Sequence, residues 1–268
     1  MIQRAAEGDA SLQSLKTIAL SFLGAFLGIG AWLAIELSGA IPVPGSRPDN
    51  FEQRALDYVA NNPNAAAEYV ERQRASQVNE IARIVTARRA DILEDPATPV
   101  GGNPQGDVSL VEFFDYNCPY CRRMAPVLTD IETNDPKLRI LYKEWPILGP
   151  GSEFAARAAL ASRNQGKYAA LHNALMLASG PANESSVLEV AAQVGLDIER
   201  LKLDMQTPEI KAMIEHNREL AVALRITGTP SFVIGDQILR GAADAAVVRD
   251  LIRKARDELR SREAVTRP

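Results

Sequence analysis

Cysteine and histidine are scarce here, with two of each in 268 residues. Two cysteines cannot build a disulfide framework, and two distant histidines do not complete the four-ligand set of a structural metal site. Aromatic residues make up 6% of the chain, and Lys and Arg are interleaved with Asp and Glu to a net charge of −4. The chain therefore has no basic stripe with stacking aromatics, which disfavours a nucleic-acid partner. What remains is a chain of ordinary composition, 46% hydrophobic and 24% charged. That is enough to bury one main domain with appendages, and it excludes a disordered protein.

Both cysteines lie in one motif, Cys118-Pro119-Tyr120-Cys121, after the apolar run Val108–Phe114 and before a helical-looking stretch from Arg122. A cysteine capping a helix and a second one turn inside share a face, so their sulfurs can bond with little backbone movement. Free N–H groups and the helix dipole favour a thiolate at Cys118, while the deeper Cys121 stays a thiol. Cys118 is then the attacking sulfur and Cys121 the resolving one. Pro119 suits the first helical turn, where its missing N–H costs nothing. A static staple over so short a loop gains little, which favours a reversible bond.

One long apolar run is present, Thr17 to Ile35. It is long enough to cross a bilayer, and segment 17–38 reads as a transmembrane anchor or a signal segment. The length of the run, and Glu7 and Asp9 before it, favour the anchor; Ser38-Gly39-Ala40 keeps the cleaved, soluble periplasmic alternative open. Either way residues 1–16 stay inside and the bulk is exported to the periplasmic face, where dithiol chemistry is useful. Residues 39–50 form a linker around the Pro-rich stretch Ile41–Pro48. Residues 51–94 read as a helical arm with a thin apolar stripe that includes Tyr69, Val70, Val78, Ile81, Ile84 and Val85. It either acts as a stalk or homo-oligomer contact or folds back on its own domain. Residues 95–106 (DPATPVGGNPQG) read as a second linker, with a domain over 107–268. In that domain a strand over Leu138–Trp145 leads to a helix capped by Ser152. A helical block follows over about 152–224, then a hairpin over 231–240 turning at Gly235-Asp236, and a last helix over about 243–260.

Three segments together, VEFFDYNCPYC, WPILGP with SEFAARAALAS, and TGTPSFVIGDQILRG, resemble the DsbA family of thiol:disulfide oxidoreductases from about Asp107 to Arg260. The resemblance implies an α/β thioredoxin fold with an inserted helical subdomain, and by analogy a helical arm like that of ScsC proteins. It also implies that Pro230 is cis and faces the sulfurs, leaving Thr229 backbone groups for an extended substrate, and that Glu112 is a buried acid beneath the site. A carboxylate there could accept the Cys121 proton. Lys143 is a further partner for Glu112 if the strand register brings them together. DsbA has histidine where this chain has Tyr120, so the Cys118 thiolate should be less stabilised and the couple less oxidising.

The implied activity is disulfide oxidation or isomerisation in exported proteins. Its partners are protein thiols or disulfides and a redox protein that recharges the pair, and no cofactor is implied. A tethered dithiol module for a soft metal such as Cu(I) stays open as the alternative, although five methionines and no nearby histidine speak against it. His172, His216, Arg122 and Arg123 read as surface or packing residues.

Overall fold

The computed structural model describes residues 50–266. The segment 17–38 and the Pro-rich stretch after it lie outside the described residues. Among the described residues no helix is long and apolar enough to cross a membrane.

The described residues divide into two units, which part between Val70 and Glu71. In the first, helix α1 (Phe51–Asn61) precedes the opening turns of α2 (Ala65–Ala87), and Leu56, Tyr58 and Tyr69 are exposed. Asn50 holds the N-cap position of α1 without a side-chain cap bond.

The second unit takes in the rest of α2 and a short helix α3 (Arg89–Leu93). Then follow β1 (Val100–Gly102), β2 (Val108–Phe114), α4 (Pro119–Asn134) and β3 (Leu138–Glu144). A helical block comes next: α5 (Pro150–Ala161), α6 (Tyr168–Leu177), α7 (Glu184–Gln193), α8 (Ile198–Asp204) and α9 (Pro208–Ala223). The hairpin β4 (Ser231–Ile234) and β5 (Gln237–Arg240) and the helix α10 (Ala245–Thr266) close the chain.

The sheet order is β1-β3-β2-β4-β5, with β2 and β3 parallel and the other pairs antiparallel. This mixed sheet with helices on both faces is the thioredoxin-like α/β fold. β2 is buried along nearly its whole length, as its near-continuous apolar run demands of a central strand. Pleating sends Leu110 and Phe114 to one core with α4, α10 and the helical block, and Val111 and Phe113 to another with Trp145, Leu220 and Leu224. Ile81, Ile84 and Val85 of α2 pack into that second core, so the later half of the helix folds back onto its own unit.

Two expectations change. Residues 95–106 are no free linker: Val100–Gly102 is the edge strand β1, paired with β3. The preceding turn is bolted down as well, because Lys143 Nζ donates to Thr98 Oγ1 at 2.5 Å, Asp91 O at 3.1 Å and Asp95 Oδ2 at 3.2 Å. Arg139 reaches Leu93 O, and Arg163 reaches Ala97 O. Ser152 is also no cap. Helix α5 starts at Pro150 after Gly149, which takes a positive φ of 110°, and Ser152 is buried as its third residue.

Candidate active site

The site grows from the C-terminal end of β2. Three residues, Asp115 to Asn117, form a strap between that strand and α4, and the strap is held from several sides. Asp115 Oδ1 accepts the Asn117 N–H at 2.7 Å, and Oδ2 accepts the N–H groups of Ile147 and Leu148 at 2.8 and 2.9 Å. The Asn117 side chain pairs in both directions with the Ala182 backbone and donates to Ser152 Oγ. Ala182 O lies so close to Gly151 that a β-carbon there would stand 2.2 Å from it, so only glycine admits the contact. Arg122 is not a solvated helix arginine. Its guanidinium donates to three carbonyls, Tyr116, Ala178 and Gly180, at 2.7 to 2.8 Å.

This strap delivers Cys118 as the N-cap of α4, with Pro119 in the first turn. Cys118 Sγ accepts the Cys121 N–H at 3.4 Å and donates to Thr229 O at 3.3 Å. Both cysteines are buried and unbridged. The Thr229-Pro230 bond is cis, and it belongs to the turn that enters β4 beside β2. Hydrogen bonding from the Cys121 thiol, helped by Thr229 and by the N–H groups of Cys121 and Tyr120, holds the Cys118 thiol down at about 5 against the pull of burial. Burial, the bond to Cys118 and the nearby Glu112 push Cys121 far above the usual thiol range. One sulfur is built as a thiolate and the other as a thiol.

Glu112 is 2% exposed on the α4 side of β2, where burial and the neighbouring Cys118 raise its carboxyl to about 8. Lys143 does not join it. Register pairs Glu112 with Tyr142, and Lys143, one residue on, points to the opposite face. Tyr120 is half exposed, its ring lying under Arg123 with the guanidinium carbon 4.3 Å from the centroid. Its backbone N–H favours the Cys118 thiolate. Cys118, Cys121 and Thr229 thus meet directly, and Glu112 couples to both sulfurs through its charge.

The DSBA-like thioredoxin domain family matches residues 109–253, more than half the chain. The chain belongs to that family. Its DsbA-like domain is 52% identical to a thioredoxin-like oxidoreductase from Silicibacter pomeroyi DSS-3, over 63% of this chain and 98% of that one, with a TM-score of 0.62. It is 27% identical to the thiol-disulfide exchange protein alpha-DsbA2 from Wolbachia pipientis, over 67% and 97%, with a TM-score of 0.63. The catalytic domain of Proteus mirabilis ScsC is 29% identical over 66% and 98%, with a TM-score of 0.61. Among curated relatives, the Na(+)/H(+) antiporter NhaA of Herminiimonas arsenicoxydans is 28% identical over 66% of this chain. The chain spans 29% of that antiporter and 22% of a second from Salinispora arenicola, less than a third of the relatives' length.

The DsbA-like domain also holds a polar cluster that the sequence reading did not find. Glu144 Oε1 accepts the hydroxyls of Tyr116 and Tyr168, both at 2.9 Å, and Tyr116 Oη lies 3.1 Å from His172 Nδ1. His172 is therefore not remote from the motif: it reaches the strap two residues before Cys118. Tyr116 spends its proton on Glu144, so the Nδ1 of a neutral His172 donates to Tyr116.

Burial lowers His172 from 6.5 to about 3. Between those values the unfolded chain binds a proton that the folded chain does not, so stability falls as pH drops through 6.5 and levels below 3. His172→Gln should flatten that part of the urea-unfolding profile by one proton. An unchanged slope would show that other groups set acid stability.

Proposed function

We propose that the chain is an exported thiol:disulfide oxidoreductase acting on protein substrates, with segment 17–38 as its tether to the periplasmic face of the membrane. The single observation that carries the reading is the placement of the two sulfurs, Cys118 capping α4 against Thr229 of the cis turn and Cys121 buried within the first turn of the helix.

In the reductive direction the Cys118 thiolate attacks a substrate disulfide. A Cys118–substrate bond forms, and one substrate sulfur leaves as thiolate. Cys121 gives its proton to ionised Glu112 and attacks Cys118 Sγ, forming the Cys118–Cys121 bond and releasing the second substrate sulfur as thiolate. Two electrons pass from the pair to the substrate; oxidation runs the same steps backwards. The extended substrate lies along Thr229, whose side of the turn borders Cys118. An oxidase must rest as the disulfide and an isomerase as the dithiol. Alkylating free thiols in intact cells reads that resting state directly, and an inert pair that never changes state would end the proposal.

The couple should be intermediate. Tyr120 contributes an N–H to the thiolate and turns its ring to Arg123, so nothing replaces the charge or donor of a histidine. A glutathione titration should place the potential between about −270 mV, as in thioredoxin, and about −120 mV, as in DsbA. Tyr120→His should raise it by on the order of 30 mV, the equivalent of roughly 1.4 kcal/mol of thiolate stabilisation. A wild-type value at or above that of DsbA would defeat the Tyr120 argument.

A further inference from the structure

Two arginines follow the motif on helix α4, and they serve different sides of it. Arg122 faces the helical block, where the Tyr116, Ala178 and Gly180 carbonyls take it up. Arg123 does not. Tyr120, Arg123, Val127 and Asp130 follow one another at helical spacing and share one face of α4. Arg249 of α10 bonds Asp130, which turns that face toward α10. The cis turn lies on the same side, because the Pro230 carbonyl accepts the Gly241 N–H at 2.8 Å in the stretch that leads into α10. A substrate extended along Thr229 therefore runs past Tyr120 and Arg123.

Arg123 is exposed, and its guanidinium carbon stands 4.3 Å from the centre of the Tyr120 ring. Stacking occupies a flat face of the guanidinium and leaves its N–H edge free, the edge that grips a carboxylate through two parallel bonds. Among the described residues no carboxylate takes that edge. The arginines of α10 differ, since Arg249 and Arg253 each hold an aspartate. Asp130, the acid on the face of Arg123, is already spent on Arg249. The chemistry of the pair makes no demand on Arg123 either, because the Cys121 thiol, Thr229 and backbone N–H groups lower the Cys118 thiol. The cation is thus held in place beside the sulfurs without an acid of its own. Holding it there in advance reduces the ordering cost of binding one.

We propose that Arg123, stacked on Tyr120, is a specificity-determining residue: it selects protein substrates that carry an Asp or Glu close to the reacting cysteine. The proposal deepens the reading of the chain as a thiol:disulfide oxidoreductase and rests on it. Along the helix Arg123 lies roughly 7.5 Å beyond Cys118, a rise that an extended substrate matches in about two residues. The preferred carboxyl thus stands about two or three residues from that cysteine. In the oxidising direction a substrate thiolate attacks Cys118 Sγ, and Cys121 leaves as thiolate. A second substrate thiolate then displaces Cys118, a substrate disulfide forms, and two electrons end on the pair. The carboxylate on Arg123 holds the first thiol in reach of Cys118.

The test uses the full-length protein in its disulfide form and a set of dithiol peptides that differ only at the positions two and three residues from one cysteine, filled with Glu, Gln or Lys. Oxidation is followed by chromatography after acid quench. Each rate is divided by the rate of the same peptide with hydroxyethyl disulfide, a neutral oxidant, which cancels the acidity of the peptide thiol itself. At low salt the Glu peptide should react about threefold faster than the Gln peptide, and the Lys peptide about threefold slower, as an exposed ion pair allows. The preference should vanish at about 1 M salt, where the screening length is about 3 Å. Arg123→Gln should bring both ratios to about one, and Arg123→Glu should invert them. Comparing peptides within one variant removes any change in the potential of the pair. Equal rates in the wild type, or a Glu preference that survives Arg123→Gln, would overturn the proposal. A wild-type disulfide that oxidises none of the peptides would end the oxidoreductase reading, and the proposal with it.

Discussion

Exchange should fall by on the order of a thousandfold or more in Cys118→Ala, whereas Cys121→Ala should still attack substrates and accumulate them as mixed disulfides. The asymmetry follows from the environments of the two sulfurs. Cys118 is capped by N–H groups and the Cys121 thiol, and it sits against the Thr229 carbonyl. Cys121 is wholly buried and held as a thiol. Removing the first takes away the nucleophile; removing the second leaves the nucleophile without its means of release. Non-reducing gels after acid quench, with mass spectrometry of trapped adducts, check both outcomes. If Cys121→Ala traps nothing while Cys118→Ala keeps full activity, the roles are wrong. If both variants retain full exchange, the pair is idle.

The second large effect is on stability. Lys143→Ala should destabilise the protein by about 3 kcal/mol, the lower end expected for breaking a buried ion pair, because Asp95 keeps some access to water. At roughly 2 to 4 °C per kcal/mol for a domain of this size, the melting temperature should fall by about 6 to 12 °C. The variant loses the donor that Thr98, Asp95 and the Asp91 carbonyl share. The same change should open the 91–99 turn to limited proteolysis before the rest of the domain. A melting temperature within a degree of wild type would mean that Arg139 and Arg163 hold the turn alone.

The motif, its strand and the Thr229-Pro230 turn were legible in the sequence because each is a local pattern with its own chemistry. Glu112 was legible only through the resemblance, which implies a buried acid beneath the site at its place six residues before Cys118. Lys143 was not, because its partner depends on register. A slip of one residue sends a side chain through the sheet, and here Lys143 serves the second core while Tyr142 stands opposite Glu112. The same dependence hid β1, whose Val100-Gly101-Gly102 has no strand pattern of its own and pairs because β3 offers an edge. Glu144, Tyr116, Tyr168 and His172 lie too far apart in the chain for any window to join them. A signal was nonetheless present: strand alternation puts Glu144 on one face with Leu138, Ile140 and Tyr142, and an acid buried there must find donors.

The hydrogen bond from Cys118 to the Thr229 carbonyl spans 111 residues of chain, and the grip on Asn117 by Ala182 spans 65. A polypeptide emerging N-terminus first therefore presents both sulfurs long before the carbonyl that flanks one of them has been made. During that interval Cys118 lacks part of the setting that lowers its pKa and Cys121 lacks its cover, so an oxidant or neighbouring thiol meets them as two ordinary cysteines. The low-pKa nucleophile is thus completed only when the turn before β4 arrives.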